Sequence, residues 1–213
     1  MRLDVYLYEQ GFVSSRTEAK NFISGGNVTV DGNQILATEN SKIDLGGIAK
    51  GFIADKVKEY LVEKGVTRGL INLGGNVVLI GDNDGEPYNV GIQKPFAETG
   101  ETELTVKLTD MTAVTSGIYE RYFEFDGKIY HHILNPKTGY PVENDVASVT
   151  VICSNSTIAD GLSTACLVLG VTEGKALAES FDAETVFILK DGTVLVSDGL
   201  TLSDGDTPCI SLK

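Results

Sequence analysis

Three glycine-bearing stretches of this 213-residue chain hold the residue types that could do chemistry. In Ile43-Asp44-Leu45-Gly46-Gly47-Ile48-Ala49-Lys50-Gly51-Phe52 a glycine pair precedes a helix start. Backbone N–H groups there can approach a phosphate while Lys50 supplies a point charge, and tight helix packing is the alternative use of the same glycines. The second stretch, Tyr130-His131-His132-Ile133-Leu134-Asn135-Pro136-Lys137-Thr138-Gly139, carries both histidines of the protein. Neighbours on a strand point to opposite faces, so the two cannot ligate one ion together; one faces a site and the other packs or caps. In the third, Ser156-Thr157-Ile158-Ala159-Asp160-Gly161-Leu162-Ser163-Thr164-Ala165, Asp160 and Thr164 lie four apart and share a helix face. A carboxylate and a hydroxyl suit a hard cation such as Mg2+, which a carbonyl from another segment could help to hold and which keeps positions for water and substrate phosphate. The alternative role for Asp160 is to favour the start of its helix through the dipole.

The elements that must position these residues can be read from spacing. Ile48, Phe52, Val57, Tyr60 and Leu61 recur at helical intervals, and Gly65 stops the run. Short strands are expected at residues 69–73, 76–80, 88–93, 104–108, 122–125 and 129–133, with Asp126-Gly127 turning the last two into a hairpin. A strand over 148–153 leads to a helix over about 158–169 and another near 173–181. Residues 186–189 then pair with 193–196 across Asp191-Gly192. The class expected is α+β, with a mixed, largely antiparallel sheet and packed helices.

Residues 1–38 read as a small helix-helix-hairpin module. Ser15-Arg16-Thr17-Glu18 forms a capping box, Gly25-Gly26 ends the helix it opens, and Asp31-Gly32 turns Val28-Thr29-Val30 back toward Ile35. The segment resembles the RNA-binding module shared by a ribosomal small-subunit protein, pseudouridine synthases and hemolysin-like ribosomal RNA methyltransferases, with Arg16 and Lys20 at the positions that face RNA in that family. Yet residues 1–40 hold three basic side chains against five acidic ones, a balance that argues against RNA binding. A junction near residues 37–42 separates this module from a second domain, residues 39–213.

The net charge of −13 argues against a broad nucleic-acid surface, and an anionic ligand would need a metal or backbone amides. Cys153, Cys166 and Cys209 are odd in number and lack C-x-x-C spacing, as expected of reduced core thiols. No run of 18 apolar residues and no basic-then-apolar start occur, so the chain as written is expected in the cytoplasm, with no membrane segment.

Taken in order, Asp44-Leu45-Gly46-Gly47-Ile48-Ala49-Lys50-Gly51, Leu73-Gly74-Gly75-Asn76, Thr115-Ser116-Gly117, His132-Ile133-Leu134-Asn135-Pro136-Lys137-Thr138-Gly139 and Ala159-Asp160-Gly161-Leu162-Ser163-Thr164-Ala165 resemble the FAD:protein FMN transferase family, also called the ApbE family, over about residues 43–199. The resemblance implies an enzyme that moves FMN from FAD to a Thr or Ser hydroxyl of an acceptor flavoprotein and releases AMP. It further implies Mg2+ held by the Ala49 carbonyl with the side chains of Asp160 and Thr164, and FAD contacts at Gly46, Lys50, Phe52, Ser116, His132, Leu134 and Thr138. His132 is the candidate general base, because an unperturbed imidazole is mostly neutral at pH 7. Two positions depart from the family pattern: Asn135 stands for the usual Asp, and Ile118 for an acidic residue. Family members, often exported or membrane-anchored, also carry a longer N-terminal portion that closes over the flavin, in whose place this chain has the small module. The alternatives are Mg2+-dependent hydrolysis of FAD to FMN and AMP, or a non-catalytic flavin-binding or RNA-associated protein.

Overall fold

The computed structural model describes residues 28–31, 34–37, 45–98, 100–135, 138–203 and 208–213. The chain divides into two compact units, Met1–Leu45 with Leu134–Tyr140, and Gly46–Ile133 with Pro141–Lys213. In the first, strands β1 (Val28–Asp31) and β2 (Gln34–Ala37) form the expected hairpin, with Asp31 opposite Gln34. The two helices expected before it lie outside the described residues. In the same unit the Asn135 N–H donates to the Tyr140 carbonyl at 2.8 Å.

The second unit is built on a six-stranded antiparallel sheet in the order β12-β11-β10-β7-β4-β3. Its strands are β3 (Gly69–Asn72), β4 (Asn76–Ile80), β7 (Thr112–Gly117), β10 (Val146–Cys153), β11 (Glu184–Leu189) and β12 (Val194–Val196). A second sheet, β13-β14-β6-β5, joins β5 (Tyr88–Gln93), β6 (Thr102–Leu108), β13 (Leu200–Ser203) and β14 (Cys209–Leu212), with β14 and β6 parallel. Hairpin β8 (Tyr122–Phe125) and β9 (Lys128–His131) stands apart as its own sheet. Three helices complete the described part of this unit: α1 (Ala49–Glu63), α2 (Ser156–Leu169) and α3 (Val171–Glu179).

Strand alternation divides the interior into two cores. On one face of the six-stranded sheet Val114, Val149, Val151 and Phe187 pack with Leu162, Cys166 and Leu167 of α2 and Ala178 of α3. On the other, Ala113, Ile152, Val186 and Ile188 meet Val90, Leu104, Val106 and Ile210 of the four-stranded sheet. Every residue of β10 is buried because both of its faces are covered. Phe187, with no exposed surface, contributes roughly 1.5–3 kcal/mol by its burial. Two of the thiols, Cys153 and Cys166, are buried and free, and burial pushes the Cys166 thiol up to about 12.

Helix α1 has the expected period and stop: Gly65, at φ +86°, lets Val66 N–H reach the Leu61 carbonyl at 3.0 Å. Its apolar residues, however, do not face the core. Ile48, Phe52, Val57 and Tyr60 are exposed, and the buried positions are Gly51 and Ala54. The reason is proximity to α2. A Cβ on Gly51 would stand 2.2 Å from the Ser156 carbonyl oxygen, so only glycine lets the two helices approach this closely.

Candidate cation and phosphate site

Helices α1 and α2 satisfy each other's N-termini with carboxylates. The first N–H groups of a helix have no acceptor within it. Asn155 caps α2 by accepting from Ile158 N–H at 2.8 Å. Asp55 of α1 takes the N–H groups of Ser156 and Thr157, at 2.9 and 2.8 Å, and the Thr157 hydroxyl at 2.6 Å. In return Asp160 of α2 accepts from Gly51 N–H at 2.8 Å, because Ile48, the N-cap of α1, offers no oxygen of its own. No described side chain accepts from Ala49 or Lys50 N–H, which leaves the mouth of α1 able to receive an anion.

The Leu73-Gly74-Gly75-Asn76 turn joins the same cluster. Gly74 and Gly75 adopt φ of +63° and +86°, and the Gly74 carbonyl accepts from Lys50 Nζ at 2.9 Å. Asn76, fully buried, accepts from the Ser156 hydroxyl at 2.8 Å through its amide oxygen, while its amide nitrogen is unpaired.

Asp160 is 5% exposed. Its Oδ2 serves Gly51, and no described residue donates to Oδ1. Burial holds its carboxyl above the ordinary carboxylate value, opposed by the Gly51 bond and by the through-space charge of Lys50. A buried carboxylate with one free oxygen and no ion pair is costly without a counter-charge. Thr164, four residues on, adds a hydroxyl on the same face of α2. The first turn of α1, which begins at Ala49, is held to Asp160 through Gly51. These oxygen donors fit a hard divalent cation.

Ser116 of β7 lies 2.8 Å from the Ser163 hydroxyl and 3.2 Å from that of Thr164, so the Thr115-Ser116-Gly117 motif meets α2 directly. Asp160, Thr164, Ser116 and the first turn of α1 are thus joined through hydrogen bonds, and the Lys50 ammonium is tied to the Gly74 carbonyl. Gly46 precedes α1, and Phe52 is exposed in its first turn. Leu134 and Thr138 belong to the other unit, where Thr138 Oγ1 accepts from Tyr140 N–H at 3.3 Å.

The two histidines divide as strand alternation requires. His131 is buried, and its Nε2–H donates to the Val142 carbonyl at 3.2 Å, leaving Nδ1 buried and unpaired. His132 is exposed, and its Nδ1–H donates to the Arg121 carbonyl at 3.1 Å. A carbonyl only accepts, so in the neutral ring Nε2 of His132 is the bare nitrogen. Sequence reasoning missed Asp55, and gave Asn76 and Ser163 no role beyond membership of their motifs. Asp55 could have been found, since it lies four residues after Gly51 on the same helix face.

Burial, outweighing the Val142 bond, holds His131 below its ordinary pKa of 6.5. Between that lowered value and 6.5 the unfolded chain binds a proton that the folded chain does not, so stability falls as pH drops through this window. Thermal melts are expected to show a smaller acid loss in His131→Gln, whose amide can keep the bond to Val142. Equal losses would place the acid sensitivity elsewhere.

The second unit is thus an α+β fold that sets helix-borne oxygen donors beside glycine turns. The chain belongs to the ApbE family, whose pattern matches residues 13–188. That match starts upstream of Ile43 and so enters the N-terminal segment read as a separate module. The chain is 43% identical over 163 residues to a Klebsiella pneumoniae (strain 342) protein named FAD:protein FMN transferase, covering 76% of this chain and 50% of that protein. It is 41% identical over 175 residues to the Treponema pallidum (strain Nichols) protein of the same name, covering 78% and 48%. The chain therefore spans about half the length of these relatives. Among solved structures it resembles the ApbE protein of Thermotoga maritima, with a TM-score of 0.71 and 33% identity over 92% of this chain and 67% of that one. It also resembles the flavin transferase ApbE of Vibrio cholerae, with a TM-score of 0.69 and 33% identity over 85% and 60%.

Proposed function

We propose that this chain transfers FMN from FAD to a Thr or Ser hydroxyl of an acceptor flavoprotein, with Mg2+ as the required cation. The observation that carries the reading is the buried Asp160 carboxylate, free at Oδ1, beside the Thr164 hydroxyl and the N-terminus of α1. The names of the relatives, FAD:protein FMN transferase, support it. Bound at Asp160 and Thr164, Mg2+ would supply charge neutralisation at the pyrophosphate.

The chain's own groups do the rest. The free N–H groups of Ala49 and Lys50 point out of the α1 terminus and can bind a phosphate oxygen, with the Lys50 ammonium adding charge. Gly46 and Gly47 let the ligand approach the backbone. The acceptor hydroxyl oxygen bonds to the phosphorus of the FMN half, the bridging P–O bond breaks, and AMP leaves with the bond electrons. The hydroxyl proton passes to Nε2 of His132, which the Arg121 carbonyl keeps bare by holding the Nδ1 proton. Transfer of this type depends on positioning and charge stabilisation more than on covalent chemistry by the protein.

AMP release from FAD tests the reading. It should require both Mg2+ and an acceptor protein, and should stop when the acceptor's Thr or Ser is replaced by Ala. AMP release that proceeds equally without acceptor identifies hydrolysis instead.

A further inference from the structure

The hydroxyls of Ser116, Ser163 and Thr164 form a chain that can run in only one direction. Ser163 Oγ donates to the main-chain carbonyl of Asp160 at 2.9 Å, and a carbonyl cannot donate back, so the single Ser163 proton is spent there. Ser116 Oγ, 2.8 Å from Ser163 Oγ, must then be the donor in that pair. With the Ser116 proton committed, Thr164 Oγ1 at 3.2 Å must donate to Ser116. Thr164 therefore turns its proton toward β7 and its lone pairs away from it. A hydroxyl ligates a cation through a lone pair, so this is the orientation a ligand needs.

We propose that Ser116 is a positioning residue for a divalent-cation site on Asp160 and Thr164: by accepting the Thr164 proton it fixes that hydroxyl with its lone pairs toward the cation. The proposal rests on the reading of Asp160 and Thr164 as ligands. The placement of Ser116 follows from strand alternation. Val114, two residues before it on β7, and Ile118, just past the strand's end, both belong to the core against α2. A serine between them is tolerated because both of its hydroxyl contacts are to α2 side chains. The chain of hydroxyls ends on the main-chain carbonyl of Asp160 and not on its carboxylate, so the relay orients Thr164 alone among the proposed ligands. Loss of an outer partner of this kind leaves the ligand present but free to rotate. On this account Ser116 acts on the cation and not on the flavin.

The test is Mg2+ titration by calorimetry and Mn2+ EPR on the full chain. Ser116→Ala is expected to weaken cation binding roughly tenfold, within the range usual for outer partners of a metal ligand. Ser116→Thr, which keeps the hydroxyl, should restore affinity. In a Thr164→Val background Ser116→Ala should change nothing further, because no donor remains to orient. The Mn2+ line shape should change in Ser116→Ala and not in Ser116→Thr. Unaltered affinity in Ser116→Ala, or additive losses in the double variant, would overturn the proposal. Asp160→Asn separates the levels: loss of binding there with no effect of Ser116→Ala defeats the proposal alone, whereas retained binding defeats the cation-site reading with it.

Discussion

Asparagine in place of Asp160 is expected to lower Mg2+-dependent FAD turnover by roughly 10³-fold or more, since a cation at a transferring phosphoryl group is worth several kcal/mol. Asparagine keeps the volume and can still offer an oxygen to Gly51 N–H, so the α1–α2 junction survives and the charge alone is lost. Burial already raises the Asp160 pKa, so a neutral side chain at this point should not weaken the cation-free fold. Thermal melts should therefore show a folded variant that has lost the rise in melting temperature produced by Mg2+. Wild-type turnover in folded Asp160→Asn would remove Asp160 from the ligand set.

The second large effect is expected at His132. Replacement by Asn should lower the rate by ~10²- to 10⁴-fold, the usual contribution of a general base, while FAD affinity changes little. Geometry makes the two histidines unequal. His131 ends β9 and His132 follows it; the Asp126-Gly127 turn of the β8–β9 hairpin has φ of +51° and +70° and sets the register that pairs His131 with Tyr122. His131 then turns inward to the Val142 carbonyl, and His132 outward with Nε2 bare. Single-turnover rates and FAD titrations on both variants decide the matter. Equal rate losses in His132→Asn and His131→Gln would show that neither ring acts as the base.

Much of this architecture is legible in the sequence where one physical signal dominates. Strands β4, β5 and β8 have the expected bounds, since residues 76–80, 88–93 and 122–125 combine β-branched or aromatic residues with turn signals at their ends. Central strand β7 was missed because Thr112-Ala113-Val114-Thr115-Ser116-Gly117 is small and polar; tertiary burial between β4 and β10 makes it a strand. Strands β13 and β14 were missed as well, as β14 gains its partner from β6, about a hundred residues away, and β13 then pairs with β14. The outward stripe of α1 misleads for a related reason: periodicity reveals a helix but not which face is covered, and here the covered face is Gly51 and Ala54. Within the site, Asp160 and Thr164 follow from the i,i+4 rule. The Asp55 cap and the Ser116 relay depend on contacts across the fold, which spacing does not encode.

Transfer of FMN to a protein acceptor changes the acceptor's mass, which intact-protein mass spectrometry reads. The chain is mixed with FAD, Mg2+ and a flavin-acceptor protein, and the acceptor is weighed. The acceptor should become heavier by one FMN, with one AMP released for each, and should gain nothing when Mg2+ is removed by chelation. An acceptor of unchanged mass, with FAD either intact or split to free FMN and AMP, would contradict it.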